Sequence, residues 1–362
     1  MNEWIKELKL SLRSGLFLFL AAVVALYVGT AYFVTAMHDW PVAVHLQMYS
    51  GAMRYGTLWF VLGFIAYRSF YIMIFQRPHY LTLTILKDLR DNYFTPRRLM
   101  HGIPIIILFA MTFSVFTSFK SMIPLINPFQ FDPLFAQIDK TLHFGRHPWE
   151  WMFPVLKIAL FTTALSFIYK TWFVAKFCVL YWQAFSTTNM KLRAQFFMTY
   201  MLIWIINGTV LATLLSSAGP CFYAQATGLA DNPYAPLMAF LNETDKILPV
   251  WDLYAHTYLW EAHLDEGIKR FAGISAMPSM HISLAFLFVL VAWKTNRKAG
   301  WFFTAYLVLM MMGSVHLAWH YAIDGYFGII MTYAIWRAVG WVQARCAKGV
   351  TITDNNAVKD SP

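Results

Sequence analysis

Two short strings in this chain carry side chains that can do chemistry. The first is Ala276-Met277-Pro278-Ser279-Met280-His281, and the second runs from His316 through His320 and Tyr321 to Asp324. Each sits where a long apolar run meets a short polar connection. Asp324 follows His320 by four residues and His316 precedes it by four, so on a helix the three share one face. A carboxylate one turn from an imidazole accepts its Nδ1 proton and leaves Nε2 as a nucleophile or base. Two histidines and a carboxylate at the edge of an apolar layer suit phosphoryl chemistry on a lipid.

The elements that must position them follow from composition. The chain has 362 residues, of which 59% are hydrophobic and only 13% charged, against roughly 25% charged residues in an ordinary soluble domain. The reading is an all-α fold, a polytopic membrane helical bundle. Apolar runs of about 20 residues match the thickness of the hydrocarbon core, and about eight transmembrane helices are expected. They fall at Ser14–Ala36, Tyr55–Phe75, Leu99–Phe119, Val155–Phe185, Ala194–Ser217, Ser279–Trp293, Trp301–Trp319 and Tyr321–Val342. The first run is too long for the apolar part of a signal peptide and lacks a small-residue cleavage site, so it is expected to be retained.

Every second connection is basic. Lys6, Lys9 and Arg13 precede the first span; Arg77, Lys87, Arg90, Arg97 and Arg98 follow the second; Lys191 and Arg193 follow the fourth; Lys294, Arg297 and Lys298 follow the sixth; Arg345 and Lys348 close the last. The alternate connections hold Asp132, Asp139 and Glu150, and then Asp231, Glu243, Asp245, Asp252 and Glu261. Positive loops stay on the cytoplasmic side, which predicts cytoplasmic termini and a site on the outer, non-cytoplasmic face of a cell (inner) membrane. The net charge of +10 is then a topology and lipid-headgroup signal, and no nucleic-acid partner is expected.

The sixth span leaves the outer face at His281, turns at Lys294–Lys298 and returns along the seventh, so His320 is expected beside His281. Cys178, Cys221 and Cys346 show neither metal spacing nor a disulfide framework. No metal and no cofactor is expected. The organisation read from the chain is an N-terminal hairpin with its basic loop at 1–98, a catalytic membrane domain at 99–345 with a long outer loop at 218–278, and a disordered tail at 346–362.

Pro278-Ser279-Met280-His281 followed by His320-Tyr321-Ala322-Ile323-Asp324 resembles the type 2 phosphatidic acid phosphatase superfamily, whose members carry Pro-Ser-x-His and His-x-x-x-Asp. The His-Tyr-x-x-Asp form is similar to the inositolphosphotransferase branch, the inositol phosphorylceramide synthase-like proteins. The resemblance covers most of the chain from Leu99 onward. It implies a six-helix core, a phosphohistidine formed on His320, orientation by Asp324, and protonation of the leaving oxygen by His281. Ser279, with Pro278 before it and the amides that open the sixth helix, would hold phosphate oxygens. The substrate implied is a phospholipid or other lipid phosphate, with an acceptor alcohol or water entering second.

The chain departs from the phosphatase pattern at two places. The outer loop opens on Gly219-Pro220-Cys221-Phe222-Tyr223 without the Lys-x6-Arg-Pro motif, and the position six before His320 is Ser314 where the phosphatases carry Arg. Lys269, Arg270, Arg146 and His316 are the donors that could replace those cations. The string from Asp139 through His143, Arg146 and His147 to Trp149 resembles an element of the same branch. Plainer roles stand beside these. Ser279 can be only a helix start, and Asp324 can be a packing ion pair. Hydrolysis of phosphatidate or a prenyl-phosphate-type lipid is the alternative reaction, and a transporter the alternative class, motivated by the intramembrane cations Arg68 and Lys170.

Overall fold

The computed structural model describes residues 2–38, 44–265 and 273–357, with side chains placed as far as Cys346. The described residues form helices and connections and contain no strand. In chain order the helices are α1 (Asn2–Leu12), α2 (Gly15–Ala36), α3 (Ser50–Tyr71), α4 (Leu81–Asp88), α5 (Pro96–Ile126), α6 (Asp132–Leu142), α7 (Pro148–Leu156), α8 (Ala159–Lys170) and α9 (Trp172–Phe185). They continue with α10 (Met190–Ile205), the single turn α11 (Ala212–Leu214), α12 (Tyr223–Thr227), α13 (Ala235–Asp245), α14 (Trp251–Leu264), α15 (Met280–Thr295), α16 (Arg297–His316) and α17 (Ala322–Ala357).

Six stretches are long and apolar enough to cross a membrane: Gly15–Ala36, Ser50–Gln76, Pro96–Ile126, Ala159–Ala184, Met190–Leu214 and Arg297–His316. They are compatible with an integral membrane protein. The other two expected spans are helices that fall outside this set by length or by mean hydropathy. The run at Ser279–Trp293 becomes α15, an apolar helix of 16 residues. It is bounded by the caps Ser279 and Asn296, and it carries His281 in its first turn and Lys294 in its last. The run at Tyr321–Val342 opens α17, whose apolar character is diluted by Asp324 and Arg337. That helix continues into the expected tail as far as Ala357, and 358–362 lie outside the described residues.

Side-chain caps set several starts. Ser14, Thr95, Asn189, Ser279 and Asn296 each accept a backbone N–H of the first turn that follows, which satisfies donors no helix can pair internally. Asn296 does this in the single residue between α15 and α16. Its N–H donates back to the Ala292 carbonyl while its side chain accepts from the Lys298 N–H at 2.8 Å. The result is a tight hairpin whose open end holds both chemical strings.

The centre is aromatic. Phe109 and Phe113 of α5 pack on Phe197, Tyr200 and Trp204 of α10 with ring centroids 5.0–6.3 Å apart, spacings at which tilted rings attract. The ladder of α10 widens into a π-helical turn at Ile206–Leu211, where Gly208 lets Phe116 and Met280 approach. A Cβ on Gly208 would lie 2.7 Å from the Phe116 ring. At the other end of α10, the buried Arg193 guanidinium donates to the carbonyls of Gln183, Ala184 and His101, tying the turn before α10 to α5.

Candidate active site

The α15–α16 hairpin brings the two strings together. The rings of His281 and His320 lie 6.1 Å apart, centroid to centroid, and both line a cavity of about 480 Å³. His320 Nδ1 is 3.2 Å from Asp324 Oδ2, and the same oxygen accepts the Tyr321 N–H at 3.0 Å. Ser279 N–H donates to the Asp324 carbonyl at 3.1 Å, so the start of α15 is bonded directly to the start of α17. His281 stacks on Tyr169 at 4.6 Å and lies 4.2 Å from Trp172, rings from α8 and α9 that fix its plane.

His316 is not part of this cluster. A common helical face for His316, His320 and Asp324 requires an unbroken helix. Instead α16 ends at His316, Ala318 takes a left-handed φ of 60°, and α17 starts at Ala322. His316 points away from the cavity wall and bonds Thr162 Oγ1 at 2.9 Å.

Three carboxylates that the sequence marks only as acidic loop residues hold the site in shape. Asp132, fully buried, accepts the N–H groups of Ala218 and Gly219 at 2.9 and 2.8 Å and the Tyr321 hydroxyl at 2.8 Å. Asp139 accepts the N–H groups of Ala322 and Ile323 at 2.7 and 3.0 Å, which caps α17 two residues past His320. Burial pushes the Asp139 carboxyl up to about 6, so at neutral pH it still bonds those amides as a carboxylate. Asp252 accepts from Ser166 Oγ and Trp319 Nε1, each at 2.7 Å, and pairs with Lys170 at 2.8 Å. The one hint in sequence is that Asp132 and Asp139 lie seven residues apart, on one face of a helix.

The other candidate residues fall into distinct places. Pro278 lines the cavity. Ser279 is buried, its hydroxyl accepting the Ile282 N–H at 3.4 Å, the arrangement of a helix cap. Gly219 has φ 97°, and a Cβ there would lie 2.6 Å from the Trp319 carbonyl oxygen. Glycine is needed for that approach, and its N–H is already given to Asp132. Tyr223 packs on Tyr234 at 5.6 Å and is not among the cavity's lining residues. Arg146 is exposed over the Trp151 ring, 5.3 Å from its centroid. Lys269 and Arg270 lie outside the described residues. The cations that do line the cavity are Lys120, Lys170 and Lys176. Among the described residues no group of three or more His, Cys, Asp or Glu side chains is arranged to hold a metal ion.

His256, on α14, is a buried neighbour of the site, with its ring 4.3 Å from that of Trp319 and neither nitrogen hydrogen-bonded. Burial pushes this imidazole down to about 4. The unfolded chain therefore binds a proton between pH 6.5 and 4 that the folded chain refuses, and the associated stability is present above that window and lost as pH falls through it. Between pH 7 and pH 5 the loss amounts to about 2 kcal/mol. Thermal unfolding in detergent should show His256→Gln losing less stability over that interval than the parent; identical pH profiles would contradict the assignment.

A model of the family described as the PAP2 superfamily matches residues 134–338. The match takes in Asp139, His281, His320 and Asp324 and covers more than half of the 362 residues. No curated protein and no solved structure matches the chain.

Proposed function

The chain belongs to the PAP2 superfamily, a phosphatase and phosphotransferase type of lipid enzyme, and on that premise we propose that it moves a phosphoryl or phospho-headgroup group through a phosphohistidine on His320. The observation that carries the reading is the 6.1 Å separation of the His281 and His320 rings across one cavity wall, a gap that a single phosphate can occupy.

Asp324 accepts a hydrogen bond from His320 Nδ1–H, which fixes the tautomer and leaves the Nε2 lone pair for phosphorus. A P–N bond forms, the P–O bond to the leaving group breaks, and His281 gives that oxygen its proton, a contribution of about 10²–10⁴ in rate. In the second step His281 takes a proton from the entering alcohol or water, whose oxygen attacks phosphorus. The P–N bond then breaks and its electron pair returns to His320. The amides that open α15, one residue from the bonded Ser279–Asp324 contact, face the charge that develops on phosphorus.

Transfer to an alcohol, as in the inositolphosphotransferase-like branch, is supported by the His-Tyr-x-x-Asp form of the second string and by the missing phosphatase cations. The cavity walls, with Phe116, Phe173, Trp204 and Phe222, also favour an apolar acceptor over bulk water. The basic alternate connections support a site on the non-cytoplasmic face with cytoplasmic termini. Transport has less support, since Arg68 pairs with Asp88 at 2.6 Å and Lys170 with Asp252 at 2.8 Å; both cations have structural partners.

The test is purified protein with labelled phospholipids, with and without ceramide, diacylglycerol or inositol. A new phosphodiester is the expected product, while free phosphate or free phospho-headgroup alone would assign hydrolysis. Uptake into proteoliposomes without turnover would remove the enzyme reading altogether. Because histidines serve as nucleophile and acid, activity should survive a chelator and fall with vanadate, which mimics five-coordinate phosphorus; strict dependence on a divalent ion would count against the mechanism.

A further inference from the structure

Lys176 is an unusual residue to find in an apolar helix. It is 2% exposed, and its ammonium sits over five ring faces, those of Phe113, Trp172, Phe173, Phe177 and Trp204, at 4.5–5.8 Å from their centroids. Among the described residues that ammonium has no carboxylate partner and no hydrogen bond. Rings attract a cation, yet they do not replace the water that a buried ammonium gives up. A lysine kept in that setting costs stability unless an anion joins it.

The cavity supplies the place for one. Lys176 shares its wall with Lys120, Lys170, His281 and His320. Trp172, the nearest ring to the Lys176 ammonium at 4.5 Å, is also the ring 4.2 Å from His281, so lysine and histidine pack on the same indole. Lys120 packs against Gly273, whose Cβ would lie 2.9 Å from the lysine's Cγ, just before the Pro278–His281 string. Lys120 too has no carboxylate partner among the described residues. Lys170 is different, since Asp252 neutralises it. Two uncompensated ammonium groups thus face the cavity that both histidines line.

We propose that Lys120 and Lys176 are the anion-holding residues of this site, binding the phosphate oxygens of a lipid headgroup and doing the work of the phosphatase-motif cations that the outer loop and position 314 do not carry. The proposal rests on the phosphoryl-transfer reading above and adds to it the residues that seat the substrate. Lysine suits the task because its ammonium is a point charge on a flexible stem that can leave the ring cage and meet an oxygen as the headgroup enters. The ring cage holds that charge in place when the headgroup is absent. The same two lysines stabilise the extra negative charge of five-coordinate phosphorus.

The experiment uses the full chain in detergent, with orthophosphate and a short-chain lipid phosphomonoester as the probes. Stabilisation against heat as a function of probe concentration gives the affinity without requiring turnover. Lys176→Met and Lys120→Met should each weaken both probes by about tenfold or more, while Lys157→Met, at an exposed position, should leave both affinities unchanged. Without probe, Lys176→Met should unfold at the same temperature as the parent or higher, because an apolar side chain of similar shape replaces an unpaired ammonium. A purely structural lysine would give the reverse, a lower unfolding temperature with unchanged affinity, and that outcome overturns the proposal. Unchanged affinity in both variants overturns it as well. Weakening confined to the lipid probe supports it with the headgroup as the anion's source, and weakening of both probes supports it for the phosphate itself. Lysine-dependent binding in a protein that turns over none of the labelled lipids would leave the anion seat standing and defeat the functional reading; turnover with lysine-independent binding would do the opposite.

Discussion

His320→Ala should lower lipid turnover by about a thousandfold or more and abolish transfer of label from a phosphate-labelled lipid to the protein. The argument is geometric. His320 is the imidazole that carries an orienting carboxylate, with Nδ1 3.2 Å from Asp324 Oδ2, whereas His281 is bracketed by Tyr169 and Trp172 rings and has no such partner among the described residues. The first arrangement fixes a tautomer and raises nucleophilicity; the second holds a ring in place while leaving it free to gain and lose a proton. The two histidines should therefore fail differently. With His281→Ala the protein still forms labelled enzyme, slower by about 10²–10⁴ for want of an acid. With His320→Ala no label appears at any time. Asp324→Asn should resemble a weakened nucleophile, since a neutral amide oxygen holds Nδ1–H without the charge that stabilises the imidazole as it attacks, and its NH₂ turned to the ring imposes the wrong tautomer. Rapid quench of the labelled lipid with each variant separates these outcomes. Turnover by His320→Ala at the parent's rate would end the mechanism, and labelled His320→Ala protein would move the nucleophile elsewhere.

What could be read from the chain, and what could not, divides by the range of the interaction. The meeting of His281 and His320 was legible because it needs only a short apolar helix, a turn at Asn296 and a return helix; parity alone puts both ends on one side. The pairing of His320 with Asp324 was legible because four residues span one turn. His316 was misplaced by the same rule, since nothing in the string announces the left-handed Ala318 that breaks the helix between them. The cations were harder. Arg146 reads as a headgroup donor from its neighbours, yet it stacks on Trp151 at the surface. Lys120 and Lys176 sit inside apolar runs where only a packed arrangement of α5, α9 and α10 decides whether an ammonium meets lipid, a carboxylate or a cavity. Lys170 is intelligible only with Asp252, 82 residues further on, which its side chain meets at 2.8 Å. Asp132, Asp139 and Asp252 were read as charge in an outer connection because their chief partners are backbone and indole N–H groups, which have no signature in sequence.

The largest stability effect in the molecule should follow from Asp132→Ala. Its carboxylate is the single acceptor for three donors from two other segments, the Ala218 and Gly219 amides and the Tyr321 hydroxyl. Leaving a buried donor unpaired costs about 1–3 kcal/mol, so three together reach about 3–9 kcal/mol before any relaxation, against a total stability of about 5–15 kcal/mol for a folded domain. Water has poor access to this position, since Asp132 has no exposed surface. The segments it joins are otherwise held by the Cys221 N–H to Ala318 carbonyl bond at 2.8 Å and by the close passage of Gly219 under the Trp319 carbonyl, contacts that presuppose the register Asp132 imposes. Asp132→Ala protein should therefore be largely absent from the folded, monodisperse fraction after detergent extraction. Asp132→Asn keeps the shape and one acceptor oxygen but turns an NH₂ toward a donor, so it should fold with a lowered unfolding temperature and a reduced rate. Size-exclusion profiles and thermal unfolding of the two variants check this directly, and an Asp132→Ala protein as stable as the parent would show that the His320 loop is positioned by something other than the carboxylate beneath it. The order of the two effects matters more than either alone. A loop held by one ionic acceptor loses its geometry before the helices lose their packing, so in Asp132→Asn the rate should fall at temperatures where the helix content is still intact.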